Sequence, residues 1–403
     1  MAERSKTSDI LSIYVPSFFI FLGMSIISPI LPIYAKSFDV SFALASMAIS
    51  MYAIGRLILD FPVGIIADNF GRRPLMIVGT LLMAVTAYLN ATADNFWLFL
   101  FYRFLQGAGS AMWMTARTVL LADILKPEER GRVMSYFQSF MLIGSAAGPT
   151  IGGVVAEAWG ITAPFYFYAL TGFVSLVLTY VWVREPEFTR HSEHKGLGFP
   201  MDVVKRILVN RSFLMASIAT FTSFFLMTGI RSTILPLYAS DVVGLNTTEI
   251  GTVITCATIV NLFLTIPIGY ALDLKGRKPV IVASIAVSGL ACLTFPFASS
   301  FILLCLAALI LGVGTSGAQQ APLAMATDAT IHEPHGISMG IYRFFGDIGF
   351  VFGPVVLGLV ADASGLATPF YVMAGIMLFN AALIFLFAEE TLVRKKPRGE
   401  AGP

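Results

Sequence analysis

The chain has 403 residues, of which 57% are hydrophobic and only 12% are charged, and its mean hydropathy is +0.80. Soluble domains carry about 25% charged residues, so this composition excludes an ordinary soluble domain and indicates an integral membrane protein. The formal net charge is only +2, which provides no basic surface for a nucleic acid. The three cysteines have neither Cys-x-x-Cys spacing nor a nearby histidine, so no metal site is expected.

Apolar runs long enough to cross a bilayer recur along the whole chain. A spanning helix needs about 20 mainly apolar residues, and twelve runs of this kind can be distinguished. The first is longer than the roughly 7–15 residues of a signal-peptide core and has no clear cleavage site after it, so it is interpreted as a spanning helix. The predicted spans lie near residues 10–34, 43–66, 74–92, 97–122, 133–156, 162–183, 212–238, 247–271, 279–298, 301–326, 336–360 and 367–388.

Only one gap between the spans is long. It covers residues 184–211, is polar and charged, and divides the spans into two groups of six. We therefore predict an all-α membrane protein with twelve transmembrane helices in two six-helix pseudo-repeats. The predicted domains are a six-helix bundle over residues 1–183, a cytoplasmic linker over 184–211 with an interfacial helix at 201–209, a second six-helix bundle over 212–390 and a cytoplasmic tail over 391–403.

The two halves of the chain are related as an internal repeat. Ile-Leu-Pro-Ile-Tyr at 30–34 matches Ile-Leu-Pro-Leu-Tyr at 234–238 at an offset of 204, and past one inserted residue the offset becomes 205. In transporters built from repeats, the substrate site lies between the repeats near the midplane, and transport is a rocking of one half against the other. The pairs at the offset of 205 include Gly64/Gly269, Asp68/Asp273, Gly107/Gly312, Gly109/Gly314, Asp123/Asp328, Gly148/Gly353, Pro149/Pro354 and Glu157/Asp362.

Lysine and arginine are distributed unevenly between the loops. If the amino terminus is cytoplasmic, the cytoplasmic segments hold 20 of these residues, whereas the opposite side holds only Lys36. The positive-inside rule therefore predicts a multi-pass protein of the cell (inner) membrane with both termini in the cytoplasm.

Two charged hairpins mark where neighbouring spans meet, GIIADNFGRR at 64–73 and GYALDLKGRK at 269–278. In the first hairpin, Gly64 allows close approach of a neighbouring helix, Asp68 can pair with a cation or face a helix N-terminus, and Gly71 permits a tight turn. Because the pattern occurs twice, a conformational latch is favoured over a topological anchor alone. The motif residues are Gly64, Asp68, Gly71, Arg72 and Arg73 in the first copy and Gly269, Asp273, Gly276, Arg277 and Lys278 in the second.

The first hairpin resembles the signature Gly-x-x-x-Asp-Arg-x-Gly-Arg-Arg of the major facilitator superfamily, with Asn69 where a cation is usual. The resemblance extends over essentially the whole chain and is strongest to the twelve-helix drug:proton antiporter branch. It implies a transporter that moves a small molecule by alternating access. It also implies that the proton gradient is the energy source and that no cofactor is needed.

A second motif lies in the fourth span, where Tyr-Arg-Phe-Leu-Gln-Gly-Ala-Gly-Ser at 102–110 resembles the Arg-x-x-x-Gly motif of the antiporters. The resemblance implies that Arg103 assists proton transfer. An arginine within a membrane helix costs on the order of 3 kcal/mol on insertion scales, so Arg103 is expected to face a cavity or a partner. The alternative is an arginine whose side chain extends to the outer interface, because Phe96 and Trp97 place that boundary close by.

A third motif lies in the fifth span, where Gly-Ser-Ala-Ala-Gly-Pro-Thr-Ile-Gly-Gly at 144–153 is similar to the antiporter motif of the same family. Gly144, Gly148 and Gly152 line one helical face and permit close packing, and Pro149 loosens the helix. The resemblance implies efflux by exchange rather than uptake.

Four charges lie deep in the second and eleventh spans. Arg56 and Asp60 are one helical turn apart, as are Arg343 and Asp347, at similar depths. In the fold implied by the resemblance these spans face each other, which suggests Arg56 with Asp347 and Asp60 with Arg343. Our hypothesis is that this network closes the cytoplasmic side and that protonation of an aspartate weakens it. The alternative is two static pairs, each within its own helix.

Further polar residues fall in spans that line the cavity in this family. Arg103, Arg117 and Arg231, with the amides of Gln319 and Gln320, would make the cavity cationic and suit an anionic substrate. Against this, Asp60 and Asp347 would neutralise part of that charge. The 34 phenylalanines and 17 methionines suit a large apolar pocket, although most are expected to face lipid or pack. Asp123 and Asp328 are expected to pair with loop cations such as Arg130 or Arg132.

The leading expectation is a monomeric secondary antiporter that exports a small amphiphilic compound in exchange for protons across the lipid bilayer. The alternative is an exchanger or facilitator of organic anions, sugars or lipids that uses a cationic cavity. An enzyme or an ATP-driven pump is not expected, because the chain contains no Gly-Lys dipeptide and hence no phosphate-binding loop of the Gly-x4-Gly-Lys type.

Overall fold

The computed structural model describes residues 6–124, 127–185 and 201–392, and every regular element in these ranges is a helix. The predicted all-α fold class is confirmed. Most of the predicted linker and nearly all of the predicted tail lie outside the described residues.

The helices follow the predicted spans, which are numbered 1 to 12 in chain order. Spans 1 and 7 are interrupted, and the helix α8 precedes span 7. The bounds are span 1, α1 (Lys6–Ile27) and α2 (Leu31–Lys36); span 2, α3 (Phe42–Phe70); span 3, α4 (Arg72–Ala91); span 4, α5 (Phe96–Ile124); span 5, α6 (Pro127–Trp159); span 6, α7 (Ala163–Trp182); α8 (Met201–Val209); span 7, α9 (Arg211–Leu226), a π-helical segment (Met227–Ile234) and α10 (Leu235–Asp241); span 8, α11 (Thr247–Lys275); span 9, α12 (Arg277–Thr294) with a 3-10 turn (Phe295–Phe297); span 10, α13 (Phe301–Ala329); span 11, α14 (His335–Ser364); and span 12, α15 (Thr368–Phe387).

Span 4 differs from the other spans in polarity. Eleven helical segments of the described chain are long and apolar enough to cross a membrane, and span 4 is not among them. Its 29 residues include Arg103, Gln106 and Arg117, and all three side chains are buried inside the bundle. Because polar groups in lipid must find internal partners, span 4 is an interior helix of the first half.

The turns distinguish the two faces of the bundle. The hairpin face carries the turns at Gly71 and Gly276, and the far face carries those at residues 37–41, 92–95, 160–162, 242–246, 298–300 and 365–367. Gly71 and Gly276 each join two long helices as a single residue, with φ of +93° and +102°. Glycine adopts this left-handed backbone at no steric cost. The tight turn predicted at Gly71 is confirmed and recurs in the second half.

Two glutamates cap the helices that begin at these turns. Glu185 accepts hydrogen bonds from the backbone N–H groups of Arg72 and Arg73 at 2.7 and 2.6 Å, and Glu390 accepts from Arg277 and Lys278 at 2.9 and 3.0 Å. A carboxylate is favoured here because the first N–H groups of a helix have no partner within the helix. Burial acts to raise the pKa of Glu390, but the backbone hydrogen bonds outweigh it and lower the pKa.

The helix predicted at 201–209 is present as α8 and is attached to the hairpin face of the second half. Arg206 donates two hydrogen bonds to Glu333, at 3.0 and 3.1 Å. This bond raises the pKa of Arg206 and lowers the pKa of Glu333. Asn210 then caps α9, because its side chain accepts from the N–H of Phe213 at 3.0 Å. The connection between α8 and span 7 is therefore a single structured residue.

The glycine face of span 5 packs against span 1. A Cβ added at Gly152 would lie 1.9 Å from the carbonyl oxygen of Ile26, and one added at Gly148 would lie 2.2 Å from the Cβ of Ser25. The close packing predicted for this motif is confirmed, and it lies within the first half. The helix remains continuous through Pro149.

The two halves meet along two seams, spans 2 with 11 and spans 5 with 8. Near the far face, Asp362 accepts hydrogen bonds from the N–H groups of Phe42 and Ala43 at 2.7 and 3.0 Å. The other seam has an equivalent contact, in which the hydroxyl of Thr248 donates to Glu157. An acidic residue at the end of one helix thus reaches the first turn of a helix in the other half at both seams.

The hydrogen bonds and ion pairs that described side chains form between the two halves end near mid-depth. In the second seam, Thr255 donates to the carbonyl of Ala146 at 3.1 Å, and in the first, Arg56 donates to Asp347. Beyond these residues toward the hairpin face, no hydrogen bond or ion pair joins the halves among the side chains that the structure describes. The described polar contacts between the halves therefore lie between these residues and the far face.

Candidate functional site

A cavity of about 130 Å³ lies between the two halves. Spans 1, 2, 4 and 6 contribute to it from the first half, and spans 7 and 11 contribute from the second. Most of the wall is apolar, with one arginine and several hydroxyl groups. The lining residues are Met24, Ile27, Ser28, Leu31, Ile49, Tyr52, Arg103, Tyr168, Met227, Thr228, Ser232 and Phe350.

Two interruptions of helical structure meet at this cavity. Span 1 breaks between Ile27 and Leu31, and span 7 widens into the π-helical segment Met227–Ile234. Hydroxyl groups in that segment bond carbonyls five residues earlier, as Thr233 does to Thr228 at 2.7 Å. Irregular backbone at membrane depth is tolerated where it lines a cavity, and broken helices at the repeat interface mark substrate sites in transporters. The cavity is therefore the candidate substrate site.

Arg103 forms part of the cavity wall. Its side chain is only 5% exposed, and its Nε donates to the carbonyl of Ala48 at 3.0 Å. A second nitrogen donates to Gln106 Oε1, and the guanidinium lies 4.9 Å from the ring centroid of Tyr52. The alternative of a side chain that extends to the outer interface is wrong, because these groups hold Arg103 inside the bundle.

Arg56 connects the two halves at the hairpin-side limit of the seam. It donates to Asp347 across the seam, and its Nε lies 4.0 Å from Asp60 one turn away on its own helix. The side chains of Arg56 and Asp347 are 19% and 20% exposed, and that of Asp60 is 39% exposed. One arginine therefore serves two aspartates, and the predicted contact between Arg56 and Asp347 is present.

The predicted pair of Asp60 with Arg343 is absent from the structure. Arg343 is exposed and forms no ion pair with any carboxylate whose side chain is described. It lies one turn closer to the hairpin face than Asp347, and Asp60 stays beside Arg56. The alternative of two pairs within separate helices also fails, because Arg343 and Asp347 form no ion pair.

The bond between Arg56 and Asp347 is the hydrogen bond nearest the hairpin face between described side chains of the two halves. The hypothesis that this network closes the hairpin side, and that protonation of an aspartate weakens it, stays a prediction.

The second hairpin forms its contacts within its own half. Arg277 donates to Asp328 at 2.9 Å, to the carbonyl of Leu272 at 2.7 Å and to Asp273 at 3.3 Å. The expectation that Asp328 pairs with a loop cation is confirmed, and the cation is Arg277 of the second hairpin.

Gly64 and Gly269 begin the two hairpin motifs. Gly269 faces open space, so the close approach predicted at Gly64 has no equivalent in the second half. In the first half, Arg73 donates to the carbonyl of Tyr180 at 2.7 Å. The described part does not include the surroundings of Gly64 or the side chains of Asp68, Asn69, Asp123, Arg130 and Arg132.

The remaining predicted cavity residues occupy different environments. Arg117 is buried against Phe137 and Trp113, with its guanidinium 4.4 and 4.7 Å from their ring centroids. Two of its nitrogens, Nε and Nη1, are buried without a hydrogen-bond partner. Arg117 is therefore packed inside the first half and is not among the residues that line the cavity, contrary to the prediction.

The second half contributes one arginine and two amides. Arg231 lies in the π-helical segment and donates to Thr258. Gln319 is exposed and its amide approaches the sulfur of Met227, a cavity residue, at 3.4 Å; Gln320 is half-buried. None of these three residues is among those that line the cavity, and Gln319 reaches it through its contact with Met227.

Sequence reasoning missed the hydroxyl groups of the cavity. Ser28 and Ser232 are equivalent in the repeat at the offset of 204, and each precedes a proline by four residues, Pro32 and Pro236. Both serines line the cavity. Paired serines beside paired prolines were a readable signal, because proline disturbs the helix on its N-terminal side.

The fold and the cavity define a membrane transporter made of two six-helix halves. A model of the Major Facilitator Superfamily matches residues 13–248 and 218–403. The chain belongs to this superfamily and is a non-enzymatic, multi-pass membrane transporter for a small molecule.

Similar sequences come from several organisms. An uncharacterized MFS-type transporter of Methanocaldococcus jannaschii is 25% identical over 367 residues, which cover 89% of this chain and 92% of that protein. The quinolone resistance protein NorA of Staphylococcus aureus is 24% identical over 380 residues, covering 94% and 96%. The multidrug resistance protein 2 of Bacillus subtilis is also 24% identical over 380 residues, covering 93% of each chain.

Solved structures share the fold at low sequence identity. A bacterial homologue of the human lysosomal transporter Spinster, in an inward-facing and unoccupied conformation, has a TM-score of 0.77 at 14% identity and covers 96% of this chain and 97% of its own. The nucleoside transporter NupG has a TM-score of 0.76 at 14% identity, covering 94% and 99%.

Proposed function

We propose that the chain is a proton-coupled antiporter that exports a small amphiphilic compound, with its hairpin face in the cytoplasm of a cell membrane. The supporting observation is the shared arginine. Arg56 bonds Asp347 across the seam and lies near Asp60, where the described polar contacts between the halves end. Its guanidinium is also 5.2 Å from the ring centroid of the cavity-lining Phe350. Ionisable groups at this depth mark ion pathways in membrane proteins.

The placement of the hairpin face rests on the distribution of cations. The hairpins, the other loops on the same side, the linker and the two terminal segments together carry 20 of the 26 lysines and arginines, whereas the far-face loops carry Lys36. The positive-inside rule places such a face in the cytoplasm. The described polar contacts between the halves lie toward the far face, which supports a conformation open to the cytoplasm, where an exporter takes up its substrate.

The exchange follows from competition between a proton and Arg56 for the same carboxylate. When the halves rock and the far face opens, the seam that joins Arg56 to Asp347 separates and the carboxylate accepts a proton from outside. When the far face closes again, Arg56 returns to the carboxylate and the proton leaves toward the cytoplasm. A proton thus moves inward for each outward passage of substrate, and the proton gradient supplies the energy without a cofactor.

The transport unit in this proposal is a monomer. All lining residues of the cavity and both seams belong to one chain, so a second copy is not required to complete the site.

Reconstituted vesicles test the coupling. Proton flux, followed with a pH-sensitive dye inside the vesicles, is measured when a panel of amphiphilic compounds is added to the wild type, to Asp347→Asn and to Asp60→Asn. Arg206→Gln, which removes an exposed cation outside the spans, is the control. We expect Asp347→Asn to abolish pH-driven transport while exchange of substrate against substrate continues. Undiminished coupling in both aspartate variants would contradict the proposal.

A second candidate is an exchanger or facilitator that is not driven by protons and moves organic anions, sugars or lipids. The excess of arginine around the cavity favours the anion among these substrates. The same vesicles separate the two functions, because an exchanger would move substrate at a rate that does not depend on the pH gradient.

A further inference from the structure

We propose that the substrate is an amphiphilic organic anion, with a carboxylate or sulfonate on a compact apolar body, and that Arg231 binds its anionic group. The proposal rests on the proposed function in one respect, namely that the cavity between the halves carries the substrate.

The charges inside the membrane do not balance. Seven charged residues lie at least seven residues from either end of their span, and they are five arginines and two aspartates. Of the described side chains in this group, only Arg56 lies within 4.0 Å of a carboxylate, and both aspartates are its partners. Each uncompensated cation costs on the order of 3 kcal/mol in a membrane interior. A bound anion offsets this cost, whereas a bound cation increases it.

The four arginines without a carboxylate differ in what they can offer a ligand. Arg103 already donates to a carbonyl and to an amide oxygen within the first half. Arg117 is enclosed by the aromatic rings of its own half, and Arg343 is exposed on the hairpin side. Arg231 is half-buried and has one partner among the described side chains, the hydroxyl of Thr258. None of its nitrogens is both buried and unpaired, so the remaining guanidinium nitrogens can donate to a ligand.

Arg231 is also the arginine that the irregular backbone of span 7 carries. It lies between Thr228 and Ser232, both of which line the cavity. Short π-helical segments recur at functional sites, because the extra residue per turn displaces side chains from the regular helical face. The hydroxyls of Thr228 and Ser232 already donate to backbone carbonyls at 2.8 and 3.1 Å. Arg231 is not itself among the lining residues, and it therefore remains as the strong donor within the segment that carries them.

The rest of the cavity fits the apolar part of such a molecule. The first half contributes mainly apolar side chains to the cavity, with Arg103 as its one charged lining residue, and ligand sites of this kind use few polar groups to fix orientation. Those apolar side chains are Met24, Ile27, Leu31 and Ile49, and Met227 and Phe350 complete the surface. A planar guanidinium binds a carboxylate or sulfonate through two parallel hydrogen bonds, which specifies an anion by shape as well as by charge.

Three probes with one ring system and different charges test the inference. They are 2-naphthoate, 2-naphthylmethanol and 2-naphthylmethylammonium, and their dissociation constants are measured by calorimetry on the purified full chain in a neutral detergent. For the wild type we expect 2-naphthoate to bind at least tenfold more tightly than the alcohol, and the alcohol more tightly than the ammonium. Equal or tighter binding of the ammonium would overturn the proposal.

Variants of Arg231 assign the preference to this residue. Arg231→Gln is expected to remove the preference for 2-naphthoate, Arg231→Lys to retain part of it, and Arg231→Glu to invert the order of the probes. Arg206→Gln, an exposed cation outside the cavity, is expected to leave all three constants unchanged. If Arg231→Gln does not fold, the comparison of Arg231→Lys with the wild type decides. A full tenfold preference for 2-naphthoate in folded Arg231→Gln would contradict the assignment. If only Arg231→Lys can be compared, an undiminished preference in that variant would contradict it.

Two further arms separate the possible failures. Anion-selective binding without pH-driven flux would support this inference and contradict the proposed antiport, whereas pH-driven export of the ammonium probe would support antiport and overturn this inference. Displacement of 2-naphthoate by phosphatidylglycerol from the wild type would assign Arg231 to a lipid headgroup and overturn a soluble substrate.

Discussion

Asp362, at the end of span 11, accepts a hydrogen bond of 2.7 Å from the backbone N–H of Phe42 at the start of span 2 in the other half. It also accepts from the next N–H along that helix, at 3.0 Å. The first N–H groups of a helix have no partners within the helix and carry partial positive charge, so a carboxylate there satisfies both needs. The far-face seal is thus made by a side chain of one half that caps a helix of the other.

The first prediction is that Asp362→Asn loosens this seal. An amide can accept from one of the two N–H groups but has no charge to oppose the helix dipole, and the loss is about 1 kcal/mol. An equilibrium shift of about fivefold toward the outward-open state follows. The reporter is Ser46→Cys, because Ser46 is fully buried in this seam beside Gly358. Its rate of labelling by a membrane-impermeant maleimide from the far side is expected to rise about fivefold.

The matched control for this measurement is Asp241→Asn. Asp241 is an exposed far-face aspartate that accepts no hydrogen bond from the opposite half within the described ranges. Its replacement is expected to leave the labelling rate unchanged. Equal rates in Asp362→Asn and Asp241→Asn would show that the cap contributes nothing to the seal.

The second prediction concerns the asymmetry around Arg56. Because Arg56 serves both Asp347 and Asp60, Arg56→Met leaves two carboxylates without a partner, whereas Asp347→Leu leaves Arg56 with Asp60. The unfolding free energy is therefore expected to fall further in Arg56→Met, with losses of about 1–3 kcal/mol for each unpaired group. The double variant should be more stable than Arg56→Met alone, since it removes one of the stranded carboxylates. Thermal unfolding in detergent measures all three, and strict additivity would argue against the shared pair.

The sequence predicted the contact between Arg56 and Asp347 because two pieces of information sufficed, namely the depth of each residue along its helix and the pairing of spans 2 and 11. It did not predict that Arg343 would be exposed, because a displacement of one turn decides whether a side chain meets the other half, and sequence does not give the conformation. The π-helical segment was beyond reach for a related reason. Nothing in Met-Thr-Gly-Ile-Arg-Ser-Thr-Ile specifies five-residue spacing without the packing around it.

Other features could have been found from the sequence. Glu185 and Glu390 are separated by 205 residues, the same offset as the hairpins that they cap. Their role was missed because each lies beyond the last helix of its half, far along the chain from the turn that it contacts. A repeat search that includes the ends of the halves identifies such pairs.

The third prediction concerns this cap in the second half. The pKa of Glu390 is lowered, so its carboxylate stabilises the fold above the ordinary glutamate pKa of about 4.3. That contribution is lost as the pH falls through the lowered pKa of the folded state. Glu390→Gln is therefore expected to unfold at a lower temperature than the wild type at pH 7, and the difference should shrink as the pH falls below about 4. A difference that stays constant down to pH 3 would contradict the cap.

The fourth prediction compares two glycines in long helices. A Cβ at Gly107 would lie 1.9 Å from the carbonyl oxygen of Tyr52, whereas one at Gly340 would have no atom within 4 Å. Gly107→Ala must push span 4 away from span 2 and so displace Arg103 from its acceptor on Ala48, because the obstacle is backbone and cannot rotate away. Gly340→Ala gains up to about 1 kcal/mol from helix propensity. We expect the first variant to lose folded yield and the second to match or exceed the wild type in unfolding temperature. If Gly107→Ala unfolded at the wild-type temperature, the close contact of spans 2 and 4 would not be needed for the fold.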